Sequence, residues 1–238
     1  MERSYRKRVR SKGLVSFQVC IKQTDLWVSA ERNLERETRD LVLDARNQLE
    51  TYIKGHASFI STLSPWPKDP LAPPMVKEMI KASRELSVGP MACVAGAIAQ
   101  KVGEGLLQWS REVVVENGGD IYLFAMRPIT VALYAGASSL GNKLGLRLSP
   151  EFMPLGVCSS SASIGHSFSA GRADLVTVLS PSACYADGAA TAICNMIRTR
   201  KDLQRLEELV FQFRGIIGVV AILGETMACW GNIELVKL

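Results

Sequence analysis

The stretch Ser182 to Ile193 reads SACYADGAATAI and sets one carboxylate, Asp187, four residues before one hydroxyl, Thr191, in a run otherwise made of small or apolar residues. On a helix that spacing puts both groups on one face, about one turn apart. A carboxylate and a hydroxyl are hard oxygen donors of the kind Mg²⁺ accepts, and Mg²⁺ uses few protein ligands while keeping positions for water or phosphate. The segment therefore reads as a site as well as a packed helix.

The same stretch has an echo upstream. Ala92, Cys93, Ala95 and Ala99 match Ala183, Cys184, Ala186 and Ala190 at a constant offset of 91 residues. The echo makes two helices pseudo-equivalent and predicts that their small-residue faces meet each other or a common ligand. Glycine and alanine permit the close backbone approach that a phosphate-binding helix end uses.

Working outward, alternation in LVSFQVCI, a turn at Gln23-Thr24-Asp25 and then LWVSA predict a strand pair over 13–30. A helix follows from Asn33, as its N-cap, to Leu63; PWPKDPLAPP ends it, and Pro73 and Pro74 open a second helix through Leu86. A third runs from after Gly89-Pro90 to Trp109, and the strands EVVVEN and DIYLFAM are joined at Gly118-Gly119. The second half repeats the order. Its strands are expected over 129–135, 144–149, 154–164 and 172–179, its helices over 183–200 and 202–213, and final strands at GIIGVVAIL and TMACWGNIELV. The expected fold is α+β: one domain over 1–238 made of two ββααββ pseudo-repeats, about 1–127 and 128–238, with antiparallel sheets and helices packed on one side.

Composition bounds the function. A chain of 238 residues with 47% hydrophobic content can bury a full core. The net charge of +5 sits in residues 1–12, where Arg3, Arg6, Lys7, Arg8, Arg10 and Lys12 face only Glu2; the rest balances at 22 basic and 22 acidic residues. No recognition helix, aromatic-basic interleaving or zinc motif accompanies that arm, so a nucleic-acid partner is not expected. Alternation across YRKRVR instead suits a solvated edge strand. The six cysteines, Cys20, Cys93, Cys158, Cys184, Cys194 and Cys229, lie among small or apolar residues with no CxxC pair and read as reduced and buried, in a cytoplasmic protein. The apolar stretch MACVAGAIAQKVGEGLLQW carries Lys101 and Glu104 and reads as an interior helix, so no membrane span is expected.

The run Cys158 to Gly171, CSSSASIGHSFSAG, packs six serines around His166. No GxSxG elbow supports a Ser-His hydrolase, and donors to phosphate lining a nucleotide cleft explain the serines, Ser160 among them. No GxGxxG follows a strand and precedes a helix, so NAD is not expected.

Three segments carry a family resemblance: ADGAATAI around Asp187 and Thr191, NGGDI from Asn117 to Ile121, and the small-residue helix GAIAQKVGEG. Their order and spacing over residues 87–200 resemble the ApbE-type FAD:protein FMN transferases, and more specifically a shorter, uncharacterised branch of them. The resemblance implies tunnelling-fold-type halves and a site between them. It implies Mg²⁺ on Asp187, Thr191 and the main chain of Ala97. It also implies FAD or FMN near Asn117, Gly118, Gly119, Asp120, Gly96, Lys101 and Ser160, with His166 as the catalytic candidate. In that family FMN passes from FAD to a Ser or Thr of an acceptor protein and AMP leaves. The family's histidine motif, which reads like HIIDPRTG, is here GHSFSAGRADL: His166 and Gly171 are kept and the Asp-Pro pair is absent. An enzyme on the same scaffold with another small-molecule substrate, and a non-catalytic interaction protein, stay open beside the flavin reading. The sequence leaves self-association open too.

Overall fold

A computed structural model describes residues 13–136, 138, 140, 143–162 and 171–238. The first strands, β1 (Val15–Ile21) and β2 (Thr24–Ala30), pair antiparallel with Ile21 opposite Thr24. The turn is thus Lys22-Gln23, one step earlier than the sequence suggests, with Lys22 at φ 52. Thr24 belongs to the strand, where its hydroxyl accepts a hydrogen bond from Arg46 at 2.7 Å.

Helix α1 (Glu35–Gly55) stops well before Leu63. Leu34 holds the cap position, and the Asn33 side chain accepts from the Glu35 N–H at 2.9 Å. At the far end the His56 ring stacks on Tyr52 with centroids 4.1 Å apart, and a short 3-10 turn, Ala57–Ile60, drives Phe59 fully into the core. Trp66 donates to the Tyr52 hydroxyl at 3.1 Å and meets Phe59 edge-on, which makes it the anchor of the proline-rich loop. Helix α2 (Pro74–Leu86) begins at Pro74 as expected, since proline's missing N–H costs nothing in a first turn. Helix α3 (Val94–Leu106) follows a 3-10 turn at Pro90–Cys93.

Strands β3 (Val113–Asn117) and β4 (Asp120–Phe124) form a hairpin whose two turn residues, Gly118 and Gly119, both have positive φ, 70° and 109°. Only glycine enters that conformation without strain. Then come β5 (Ile129–Ala132), β6 (Leu144–Leu148), β7 (Leu155–Ser160), β8 (Leu175–Ser180), α4 (Ala183–Met196), α5 (Arg200–Gln204), α6 (Leu206–Phe211), β9 (Gly218–Leu223), β10 (Thr226–Gly231) and β11 (Leu235–Lys237).

Eight strands make one antiparallel sheet in the order β1-β2-β3-β4-β7-β8-β9-β10. Strands β1 to β4 with helices α1 to α3 lie on one side of the β4–β7 pairing, and β7 to β10 with α4 to α6 lie on the other. The helices cover one face. Strands β5 and β6 do not join this sheet; with β11 they form a second sheet, β11-β6-β5, over the other face. That third layer explains why EVVVEN buries consecutive valines: Val113 and Val115 face the helices, while Val114 packs with Val131, Leu146 and Leu148. A strand covered on both faces loses its polar alternation.

Four cysteines are buried, but Cys20 and Cys229 are exposed, contrary to the sequence reading. They lie on β1 and β10, the two edges of the large sheet, where one face escapes the helices. Among the described residues no helix is long and apolar enough to cross a membrane.

Candidate functional site

The small-residue faces of α3 and α4 pack directly on each other. A Cβ on Gly96 would stand 2.2 Å from the Ala183 carbonyl oxygen and 2.8 Å from the Asp187 Cβ. That proximity lets the Gly96 N–H donate to Asp187 Oδ2 at 2.9 Å, with the Ala95 N–H also directed to this carboxylate. Asp187 thereby caps the first turn of α3 from a neighbouring helix, satisfying donors that have no partner within α3 itself. The arrangement is reciprocal, because Gln100 of α3 accepts from the Ser182 hydroxyl at 3.0 Å and from the Cys184 N–H at 3.2 Å at the start of α4.

The sheet supplies a second carboxylate. Pairing of Ile121 with Val157 sets Asp120 of β4 beside Cys158 of β7, and the Ser159 N–H donates to Asp120 Oδ1 at 3.1 Å. The Cys158 thiol lies against Asp120 and donates to the Ala183 carbonyl at 3.3 Å, so it links the sheet to the start of α4. Asn117, at the other stem of the hairpin, donates from Nδ2 to the Ala95 carbonyl at 3.1 Å and pins the turn to α3. Gly119 donates to Glu116 Oε1 at 2.8 Å, and nothing lies within 4 Å of where its Cβ would be. The turn therefore borders open space beside two buried acids.

The electrostatics are unusual for a structural core. Burial first, then the negative charge of Asp120, push the Asp187 carboxyl well above the usual carboxylate range, against the pull of its amide donors. Burial likewise raises Asp120 to about 7, with Glu116 adding to the rise while Ser159 and Cys158 oppose it. The Cys158 thiol is pushed up by burial and by both carboxylates. No ion pair with Lys or Arg joins either acid among the described residues.

Of the residues singled out from sequence, the structure thus gathers Asp187, Gly96, Asn117, Gly118, Gly119 and Asp120. Thr191 is buried one turn beyond Asp187 on α4. Ser160 shares the helix-facing side of β7 with Cys158, and its buried hydroxyl has no hydrogen-bond partner among the described residues. Ala97 is buried within α3, one residue past Gly96. Lys101 lies elsewhere, its ammonium 3.9 Å from Asp44 of α1 at the surface. His166 falls outside the described residues. The sequence reading gives Cys158 no place in the site and includes Gln100 only within the stretch Gly96 to Lys101; the non-local β4–β7 and α3–α4 pairings give both their places.

Among the described residues no group of three or more His, Cys, Asp or Glu side chains converges as a metal site, so an ion here would rest on at most two carboxylates. The donors here are carboxylate and hydroxyl oxygens, with the unpartnered Ser160 hydroxyl among them, and that set suits a hard cation with one or two carboxylate ligands.

This sheet order with paired small-residue helices over its seam defines an ApbE-like fold. The structure aligns with the flavinyl transferase ApbE of Pseudomonas stutzeri at a TM-score of 0.63 and 15% identity, covering 91% of this chain and 94% of that one. It aligns with the flavin transferase ApbE of Vibrio cholerae at 0.62 and 14% identity, covering 92% and 97%. The chain belongs to the family described as AbpE bacteria, whose model matches residues 6–209. Its relatives include a UPF0280 protein of Methanocaldococcus jannaschii, 36% identical over 226 residues and 92% of each chain. Another, from Methanothrix thermoacetophila, is 41% identical over 202 residues and 84% of each chain.

Proposed function

We propose that this protein binds a flavin or other pyrophosphate-containing nucleotide in a Mg²⁺-dependent manner at the seam between its halves. Transfer of FMN from FAD to a Ser or Thr of an acceptor protein is the catalytic form of this reading. The observation that carries it is Asp187: a buried carboxylate beside a second buried carboxylate, with no ion pair to a basic side chain among the described residues, next to a helix N-terminus and a glycine turn. Capping alone does not account for it. A neutral Asn or Ser caps a helix equally well, and two neighbouring buried acids ionise together at neutral pH only when a cation joins them. The likeness to the flavin transferases of Pseudomonas stutzeri and Vibrio cholerae supports the choice of nucleotide.

Asp187 and Thr191 would hold Mg²⁺, which supplies charge neutralisation on a pyrophosphate when bound. The chain's own part is positioning. Gly96 and Ala95 fix the Asp187 carboxylate through their N–H groups, and a carboxylate accepting two such bonds still has lone pairs to offer. Asn117 holds the Gly118-Gly119 turn against α3, and the open backbone of that turn can approach a ligand without side-chain obstruction.

Calorimetric titration of metal-free protein with FAD, with and without Mg²⁺, tests this reading alongside Asp187→Ala. Binding should require Mg²⁺ and weaken at least about 100-fold in the variant, as expected when a charged ligand group is lost. Failure of the folded wild type to bind FAD in the presence of Mg²⁺ would end the flavin reading.

A further inference from the structure

Asp120 lies beside the glycine turn and, by the resemblance, on the nucleotide side of the site. Its chemistry argues otherwise, because a buried carboxylate repels a pyrophosphate and attracts a cation. A chain of contacts also leads from it to Asp187. Asp120 abuts the Cys158 thiol; that thiol donates to the Ala183 carbonyl; the same carbonyl crowds Gly96; and the Gly96 N–H is on Asp187. Ser160 supplies an independent sign of a missing ligand. It is 8% exposed, its hydroxyl has no partner among the described residues, and it stands on the same side of β7 as Cys158. The β4–β7 register carries it past Asp120 to the level of the glycine turn.

We infer that Asp120 and Asp187 hold one divalent cation between them across the seam of the two halves, with the Ser160 hydroxyl beside it, so that the cation binds before the nucleotide and without it. The inference rests on reading Asp187 as a cation ligand, and it adds a ligand from the first half of the chain. It gives the two halves a reason to meet where they do: each contributes one acid to a shared ion. Peptide N–H groups of two different elements, Ser159 on β7 and Gly96 on α3, hold the acids in place, so the pair is set before any ligand arrives.

The test is Mn²⁺ binding to metal-free protein without nucleotide, followed by the spectrum of the free ion, with Mg²⁺ as competitor. The wild type should take up one ion, and Asp120→Asn and Asp187→Asn should each weaken binding at least tenfold. Asp120→Glu, which keeps the charge, should recover part of the affinity, and Ser160→Ala should lose a smaller factor. A measurement on the unaltered chain guards against variants that fold poorly: Mg²⁺ should shift the amide resonances of Ser159 and Gly96 together, at one saturation point. The inference is overturned if Asp120→Asn binds Mn²⁺ as the wild type does, if the wild type takes no ion without nucleotide, or if Mg²⁺ moves Gly96 but not Ser159. The two readings separate cleanly. FAD binding with Mg²⁺ that survives in Asp120→Asn but is lost in Asp187→Ala keeps the flavin reading and removes this one. A wild type that binds Mn²⁺ through both acids but takes no FAD does the reverse.

Discussion

Gly96→Ala should lower the melting temperature by roughly 2–12 °C and remove the cation response of the protein, although it adds a single methyl group. The added Cβ would lie 2.2 Å from the Ala183 carbonyl oxygen and 2.7 Å from its carbon, both backbone atoms that cannot rotate away. Helices α3 and α4 must then separate, and overpacking of this kind costs about 1–3 kcal/mol. For a chain of this size each kcal/mol is worth about 2–4 °C. Separation also lengthens the bond from the Gly96 N–H to Asp187, so the carboxylate loses its fixed position. Gly105→Ala, on the same helix, is the control. Its Cβ would meet only the end of the Leu41 side chain, at 2.6 Å, which can turn aside. Replacing a helical glycine by alanine gains up to about 1 kcal/mol in propensity, so Gly105→Ala should be near neutral. Thermal unfolding of both variants, with and without Mg²⁺, decides the matter. Equal effects of the two substitutions would show that the α3–α4 contact has no special weight.

That contact also shows how far the sequence could be read. The offset of 91 residues that aligns the two alanine-rich stretches also aligns Gly96 with Asp187, the pair that forms the hydrogen bond. Small residues at helical spacing predicted a close approach and delivered it. The glycine turn was equally legible, because two adjacent glycines between alternating strands admit few other geometries. What stayed hidden depends on long-range pairing. The apolar run LGVC gives its burial but not its partner, so nothing local says that Cys158 sits beside Asp120. Segments 129–132 and 144–148 carry good strand patterns, yet whether they extend the large sheet or cover its far face is decided by β11, at the end of the chain. The early stop of α1 is hidden for a different reason. The residues after Gly55 keep a helix-like apolar pattern, but Phe59 is drawn into the core between Tyr52 and Trp66, and tertiary packing overrides local propensity.

Metal-free protein should become less stable as pH rises from 5 to 7, and Mg²⁺ should reverse that loss. The unfolded chain releases the Asp120 proton near the ordinary 3.8, whereas the folded chain keeps it until about 7. Between those values the folded state binds more protons than the unfolded state, so stability falls with rising pH and levels off once the folded group has ionised. For this one group the full loss is on the order of 4 kcal/mol, and Asp187 adds in the same direction. Glu78, raised chiefly by burial, adds to the same slope. Carboxyls shifted the other way, such as Glu31 by the hydrogen bonds of Arg111, Asp69 by the Tyr52 hydroxyl and Asp202 by the Arg198 N–H, gain their stability above their unfolded values. That gain is complete once the unfolded carboxyls have ionised, so the interval from pH 5 to 7 isolates the buried acids. Mg²⁺ must displace their protons to bind, which predicts a small rise in melting temperature at pH 5 and a large one at pH 8. Asp120→Asn should flatten the apo profile, raise stability at pH 8 without metal, and remove much of the Mg²⁺ response. Melting curves across pH with and without Mg²⁺ provide the check. An apo profile that rises or stays level from 5 to 7 would mean that these two acids are compensated within the protein itself.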